Sequence, residues 1–212
     1  MKLSISYLSM EKRTDEEMNK LNQTNADYIH VDIMDGRFVK NQTEDDEQQI
    51  AWLKEAQKPL DIHFMVKNVN KYIDLYECLK PEYITFHVEL DKQINIPKIC
   101  ERLHQAGIKV GLAIKPNTAL GKLNPYLDMV DLVLVMSVEP GKGGQTFLPQ
   151  SIARIKRLKM LASTHHFVVE VDGGIHNITS LQCKQAGADM IVVGSYITNH
   201  DDYQHQIDSL TL

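Results

Sequence analysis

The stretch YIHVDIMDGRF, residues 28–38, predicts a β-strand followed by a loop. Residues 28–34 are rich in Val and Ile, as strands are. Side chains alternate between the two faces of a strand, so His30, Asp32 and Met34 share one face and the intervening Ile and Val residues share the other. This strand is therefore polar and reactive on one side and apolar on the other.

The same order of a β-branched run, a loop and an amphipathic charged stretch occurs eight times. The predicted strands are 2–8, 28–34, 60–66, 83–89, 109–115, 132–138, 167–172 and 190–194. Predicted helices fall near 11–24, 44–57, 69–80, 95–106, 118–127, 149–163, 177–186 and 201–210. Strict alternation in eight units indicates an α/β fold with a parallel sheet, closed as a (β/α)₈ TIM barrel. An open doubly wound sheet is the alternative, but the first βα loop lacks its Gly-rich fingerprint.

Composition limits the domain count and the classes of partner. With 212 residues, 43% hydrophobic content and no Ser/Gly-rich linker, the chain is expected to form one domain over residues 1–212. The net charge is −5 and both signs are interspersed, which predicts no nucleic acid or membrane partner. The partners are expected to be small molecules and, for a barrel of this size, a second copy of the chain in a homo-oligomer.

The expected location is the cytoplasm. The first residues carry too many charges for a signal peptide, and no segment approaches the ~20 apolar residues that a membrane span needs. Cys78, Cys100 and Cys183 lack metal or redox spacing, and an odd number argues against a disulfide framework. We expect all three thiols to be reduced.

Two further strands carry polar residues at their carboxyl ends, His63 in LDIHFMVKN and Asp172 in VVEVDGGIH. In a TIM barrel the strand ends meet at one mouth, so His30 and Asp32 would join them at one centre. Two imidazoles and two carboxylates suit Zn²⁺, with Mn²⁺, Fe²⁺ or Co²⁺ as alternatives. A lone mouth histidine is more often a hydrogen-bonded polar residue than a ligand, so this prediction depends on all four residues together. His87 and Glu89 also end a strand, and we expect them to support the metal ligands or contact a small molecule bound there.

Three late loops indicate a phosphate site. SVEPGKGGQTF (137–147), DGGIHN (172–177) and VVGSY (192–196) place glycines where backbone amides approach a ligand closely. Phosphate is bound by such loops in many TIM barrels, although a Gly pair is equally typical of a tight turn. The predicted residues are Gly141, Gly143, Gly144, Gly173, Gly174, Gly194 and Ser195.

Five segments together resemble the signature motifs of the ribulose-phosphate 3-epimerase family: HVDIMDGRFV, PLDIHFMV, LVLVMSVEPGKGGQTFLP, EVDGGI and ADMIVVGS. The match keeps its order and spacing from about residue 2 to residue 198. It implies a TIM-barrel isomerase that interconverts D-ribulose 5-phosphate and D-xylulose 5-phosphate. Close relatives act on D-allulose 6-phosphate, so that sugar is the alternative substrate.

The resemblance also implies roles for individual residues. It matches His30, Asp32, His63 and Asp172 to the metal ligands, with Asp32 and Asp172 as the catalytic acid/base pair acting through a 2,3-enediolate. It matches further residues to the contacts with the substrate, namely Ser6, Met34, Met65 and Met136. His63 is expected to contact the substrate as well as the metal.

The chain departs from the usual family pattern in three places. Residues 40–48 read KNQTEDDEQ where the family continues with Pro-Asn and apolar residues, Lys115 stands where Asn or a small residue is common, and Lys142 stands where Phe is common. These changes affect the expected sugar more than the expected reaction. A non-catalytic sugar-phosphate binding protein is the rival from another class, and it would need neither the two Asp bases nor both His ligands.

Overall fold

Eight parallel strands close into a barrel in the part of the chain that the computed structural model describes, residues 1–8, 10, 13–43, 45–210 and 212. Each strand pairs in parallel with the next, and β1 closes the ring on β8. The strands are β1 (Lys2–Ser6), β2 (Tyr28–Met34), β3 (Leu60–Met65), β4 (Tyr83–His87), β5 (Lys109–Ile114), β6 (Leu132–Met136), β7 (Val168–Asp172) and β8 (Met190–Val193). The predicted TIM barrel is confirmed, and the open sheet is excluded.

Helices surround the barrel between the strands. They are α1 (Asp15–Gln23), α2 (Asp46–Leu53), α3 (Val69–Tyr76), α4 (Ile96–Gln105), α5 (Ser151–His165), α6 (Asn177–Ala186), α7 (Ser195–Thr198) and α8 (Tyr203–Asp208). Short side chains cap several of them, as when Thr14 accepts the backbone N–H of Glu17 at the start of α1. None of the described helices is long and apolar enough to cross a membrane.

The predicted helix over 118–127 is wrong in type, because residues Leu120–Met129 form a 3₁₀ segment. Pro125 lies inside this segment and lacks the N–H that an α-helix requires there. Two more 3₁₀ turns follow α3 and β4, at Glu77–Leu79 and Val88–Leu90. No pattern in the sequence predicted α7, and residues 11, 12 and 44 of the predicted helices near 11–24 and 44–57 lie outside the described residues.

The predicted strands extend past the observed ones at their carboxyl ends. The prediction ran to residues 8, 66, 89 and 138, whereas the ladders end at Ser6, Met65, His87 and Met136. Three of the ladders are followed by a buried valine inside the predicted strand: Val66 and Val88 at 0% exposure and Val138 at 5%. The apolar residues therefore continue past the strand ends because they are buried at the mouth of the barrel, although they are not paired in the sheet.

Outward-facing strand residues form the main core. Ile29, Val31 and Ile33 are fully buried and pack in one cluster with the helices. The opposite face points into the barrel, where polar residues replace the usual branched apolar layers near the carboxyl mouth. Parallel register aligns Asp32 with His63 on neighbouring strands, and Met136 with Asp172. The fold therefore brings the polar strand ends to one level of the barrel.

A substitution of Gly111 tests the packing of the barrel interior. A Cβ at this position would lie 2.1 Å from Thr85 Oγ1 and 2.9 Å from Thr85 Cβ, on the neighbouring strand. We expect Gly111→Ala to lower the free energy of unfolding by about 1–3 kcal/mol in chemical denaturation, because the overpacked strands must shift. Thr85→Ala in the same chain should restore part of the loss. Gly121→Ala is the control, since nothing lies within 4 Å of its added Cβ, and equal stability of the two glycine variants would contradict the packing argument.

Candidate active site

Four side chains from three strands converge at the carboxyl mouth. His30 and Asp32 come from β2, His63 from β3 and Asp172 from β7, and one ligand atom from each lies within 4.8 Å of the others. The Asp32 Oδ1 atom is central, 3.3 Å from His30 Nε2 and 3.0 Å from His63 Nδ1. The structure thus brings all four predicted ligands together in a group that could hold one metal ion.

The chemistry of this group fits a divalent cation. His30 Nε2 is buried and has no hydrogen-bond partner among the described residues, which leaves its lone pair available to an ion. Burial opposes a charged imidazole, yet the carboxylates of Asp61 and Asp32 raise the pKa of His30 well above its usual value. The surroundings of His30 therefore favour positive charge, which either a proton or a metal ion can supply. Two nitrogens and two carboxylate oxygens form a donor set of the kind that Zn²⁺ and its neighbours take.

The two carboxyl groups of the cluster differ in their electrostatics. Burial, helped by the nearby negative Asp32, raises the pKa of Asp172 to about 6. Burial also opposes ionisation of Asp32, but His30 and then His63 lower its pKa below the usual range. Ser6 at the end of β1 donates a hydrogen bond to Asp32 Oδ2 at 3.2 Å. Asp32 is thus the more firmly ionised and oriented of the two.

Below the cluster lie two carboxyl groups that the sequence reasoning missed. Asp61 and Glu170 are fully buried, each two residues before a ligand and on the same inward face of its strand. His30 Nδ1 lies 2.6 Å from Asp61 Oδ2, and Ser4 donates to the same oxygen at 3.1 Å. Burial and then Asp61 raise the pKa of Glu170 well above its usual value, which favours its neutral form. A carboxyl residue in the inward phase of an apolar strand was the available signal.

His63 has its own support on β4. Its Nε2 atom lies 3.0 Å from His87 Nε2, and His87 Nδ1 lies 3.0 Å from Glu89 Oε2. Burial lowers the pKa of His87 to about 4, although Glu89 acts in the opposite direction. Burial opposes ionisation of Glu89, but the bond to His87 lowers its pKa to about 2. Neither His87 nor Glu89 lines the cavity described next, which favours the supporting role predicted for them over sugar contact.

An open cavity lies above the cluster and joins it to the late loops. Among its lining residues are both carboxylates of the cluster, together with Ser6, Met65 and Met136 from other strand ends. The predicted phosphate residues all line the same cavity: Gly141, Gly143, Gly144, Gly173, Gly174, Gly194 and Ser195. His30 and His63 are buried beneath it, and Met34 is buried outside its lining. Lys142 is part of the lining as well.

Specific bonds shape the loops around this cavity. Ser137 after β6 has its hydroxyl 2.8 and 2.6 Å from the carbonyl oxygens of Asp172 and Gly173, and its one proton can be donated to either of them. Its backbone N–H also donates to the Asp172 carbonyl at 2.8 Å, so Ser137 joins the β6 and β7 loops. Gly174 has a φ of +64°, and a Cβ there would lie 2.4 Å from the Phe147 nitrogen. Only glycine allows this close approach without strain. Asn41 of the loop after β2 donates to the Gly141 carbonyl at 2.7 Å and links the divergent loop to the rim.

The fold and the cluster define the class as a TIM-barrel enzyme with a His/Asp group that could hold a metal ion at its carboxyl mouth. The chain belongs to the ribulose-phosphate 3-epimerase family, whose model matches residues 2–198. It is therefore an isomerase that epimerises a phosphorylated sugar.

Individual relatives agree with this assignment. Ribulose-phosphate 3-epimerase of Helicobacter pylori is 35% identical over 189 residues, which cover 88% of this chain and 86% of that protein. The enzyme of the same name from Synechocystis is 35% identical over 205 residues, 95% of this chain and 89% of that one. Among solved structures, phosphoribosyl anthranilate isomerase from Thermococcus kodakaraensis has a TM-score of 0.67 at 15% identity, covers 98% of this chain and 95% of its own, and shares the fold alone.

Metal analysis tests the four-residue cluster directly. Protein purified without chelator should contain about one divalent ion per chain, and His63→Ala should lose most of it because one of four ligands is removed. The measurement is elemental analysis by mass spectrometry, with thermal unfolding to verify that the variant is folded. His200→Ala, at an exposed position, is the control and should keep the ion. A folded His63→Ala protein with a full complement of metal would contradict the assignment.

Proposed function

We propose that the chain is a metal-dependent 3-epimerase that interconverts D-ribulose 5-phosphate and D-xylulose 5-phosphate. The observation that carries the proposal is the pair Asp32 and Asp172 in one His/Asp cluster, on a cavity whose other side is built from glycine-rich loops. The named activity of the relatives supports the same substrate class.

Epimerisation at C3 of a 2-ketose phosphate begins with loss of the C3 proton. That proton is acidic only because its removal gives a 2,3-enediolate, whose negative charge must be stabilised as it develops. When bound by the cluster, a divalent ion supplies positive charge for that purpose. The two histidines would hold the ion from below, because both are buried under the floor of the cavity.

Inversion also needs a proton removed from one face and another returned to the opposite face. A single carboxylate reaches both faces poorly, whereas Asp32 and Asp172 enter the cavity from β2 and β7, which are not adjacent in the barrel. Each would act as base in one direction and as acid in the other. The bond from Ser6 holds Asp32 in place. Met65 and Met136 add a weakly polar wall that limits water beside the enediolate.

The phosphate group would lie against the loops after β6, β7 and β8. Backbone N–H groups in glycine-rich turns can surround a phosphate without steric hindrance from side chains. This arrangement separates the two ends of the substrate, with the reacting carbons over the cluster and the phosphate at the loops. That separation orients C3 between the carboxylates.

A hexulose phosphate such as D-allulose 6-phosphate is the second candidate substrate. The observation that favours it is Lys142, an added donor in the cavity lining at a position where the family commonly has Phe. A further polar side chain can bind an additional hydroxyl group. A purely binding function is disfavoured, because binding alone does not require a pair of ionisable bases above two buried histidines.

Asp172→Asn tests the two-base mechanism. Conversion of D-ribulose 5-phosphate to D-xylulose 5-phosphate should fall by ~10²–10⁴-fold, because one of the two proton-transfer groups is lost. In D₂O with saturating metal, NMR should still detect deuterium entry at C3 for the single epimer whose proton faces Asp32. The exposed Asp201→Asn is the control and should convert both sugars normally. Normal turnover by Asp172→Asn would rule out the two-base mechanism. A parallel assay of the unmodified chain with D-allulose 6-phosphate decides the sugar, because the preferred substrate is converted faster.

Gly174→Ala tests the phosphate end. The added methyl group would meet Phe147 and Gln145 backbone atoms at 2.4 and 2.7 Å, so the loop must move and its amides must lose their alignment. A hydrogen bond to a charged group contributes roughly 1.5–3 kcal/mol, so KM and the inhibition constant for inorganic phosphate should rise about tenfold or more. Gly107→Ala is a matched control, because it also has positive φ, +74°, but nothing within 4 Å. An equal rise in KM in both variants would argue against phosphate binding by this loop.

A further inference from the structure

A row of three side chains runs from the barrel rim to the His63 ligand. Glu89 Oε2 lies 3.0 Å from His87 Nδ1, and His87 Nε2 lies 3.0 Å from His63 Nε2. The opposite nitrogen of His63, Nδ1, faces Asp32 in the cluster. Both imidazole rings are fully buried, whereas Glu89 at the rim is partly exposed.

When both rings are uncharged, as metal binding by His63 requires, the carboxylate of Glu89 determines which nitrogen of each ring carries the proton. A carboxylate only accepts hydrogen bonds, so Glu89 requires a proton on His87 Nδ1. In neutral His87 the Nε2 atom is then an acceptor, and the proton between the two rings belongs to His63 Nε2. In the metal-bound centre His63 then has no proton on Nδ1, and the lone pair of that atom is available to the ion.

We propose that His87, held by Glu89, is a positioning residue that sets the tautomer of His63 so that Nδ1 can bind the metal ion. This inference rests on the metal centre of the proposed function. His87 would act through His63 and not on the substrate, in agreement with its absence from the described cavity lining.

Neighbouring contacts hold the row rigid. The Phe38 ring packs against His87 with 4.6 Å between ring centroids, and the Lys115 ammonium group lies 4.3 Å above the Phe38 ring. Glu89 uses its second oxygen to accept the backbone N–H of Lys115 at 2.9 Å. Each carboxylate oxygen of Glu89 therefore faces a donor, and an NH₂ group in place of either oxygen would meet that donor.

The tautomer of His30, the other predicted imidazole ligand, is determined by a carboxylate without an intervening histidine. His30 Nδ1 bonds directly to Asp61 at 2.6 Å, which leaves Nε2 free for the ion. The two histidines thus present different nitrogens to the same centre, and in each the remaining nitrogen is tied to a carboxylate directly or through His87. Such outer partners commonly contribute 10–100-fold to metal affinity.

The test uses four variants of the full chain. His87→Phe removes the acceptor, whereas His87→Gln keeps an acceptor for His63 and a donor for Glu89. Glu89→Gln puts an NH₂ group opposite either the Lys115 N–H, whose hydrogen bond is then lost, or His87 Nδ1, which must then accept and carry its proton on Nε2 instead. His104→Phe is the matched control, because His104 also bonds to a carboxylate, Asp131 at 2.8 Å, but is exposed and lies on α4.

Two readouts are measured on each folded variant. Zn²⁺ affinity is determined by competition with a chromophoric chelator, and ¹⁵N NMR of labelled histidines reports which His63 nitrogen carries the proton in the Zn²⁺-loaded protein. His87→Phe and Glu89→Gln should bind Zn²⁺ roughly 10- to 100-fold more weakly. His87→Gln should recover most of the affinity, His104→Phe should equal the unmodified chain, and the unmodified chain should have the His63 proton on Nε2.

Two results would overturn the inference while leaving the metal centre intact. One is unchanged Zn²⁺ affinity in both His87→Phe and Glu89→Gln, and the other is a His63 proton on Nδ1 in the Zn²⁺-loaded protein. If the unmodified chain binds no Zn²⁺, Mn²⁺, Fe²⁺ or Co²⁺, the metal centre and the positioning role fail together. If the unmodified chain binds the metal and has the expected His63 tautomer but shows no epimerase activity, the proposed function alone is refuted.

Discussion

The parallel register between β2 and β3 is the constraint on which the site depends. It aligns Asp32 with His63 across one strand pair, while His30 lies one pleat repeat earlier on the same inward face. A slip by one residue would turn the histidines and carboxylates toward the helices and the isoleucines toward the barrel interior. The fully buried Ile29, Val31 and Ile33 prevent this slip, because they are part of the core between barrel and helices. Apolar packing outside the barrel thereby fixes the polar chemistry inside it.

Concentrating ionisable groups in a barrel interior is costly, and the structure offsets the cost locally. Asp61 and Glu170 lie below the cluster with no exposed surface, where an isolated charge would be strongly destabilising. Asp61 bonds to His30 and Ser4, and the raised pKa of Glu170 favours its neutral form beside the ionised Asp61. Hydrogen bonds and selective protonation thus compensate for lost solvation, and the same bonds orient the residues that face the cavity.

The loops complete the site by joining elements that are distant along the chain. Ser137 ties the β6 loop to the β7 loop, and Asn41 ties the loop after β2 to Gly141 on the opposite rim. Through Asn41, the divergent segment 40–48 therefore contacts the glycine-rich loop after β6. Substrate differences within the family are expected in such loops, because a strand register tolerates little change and a loop tolerates much.

The sequence by itself determined the alternation of strands and helices, and hence the barrel, because hydrophobic period and turn residues are local properties. It also determined which strand ends carry the histidines and carboxylates that could bind a metal. The two-residue period of each strand shows which of its side chains point into the barrel. Only the tertiary structure decided where the strands stop, that Leu120–Met129 is a 3₁₀ segment, and that α7 exists. It likewise decided that His87 bonds to His63 and that Asp61 bonds to His30, because those contacts depend on distances between strands and on ring orientation. Such distances are set by closure of the whole barrel, which no single segment encodes.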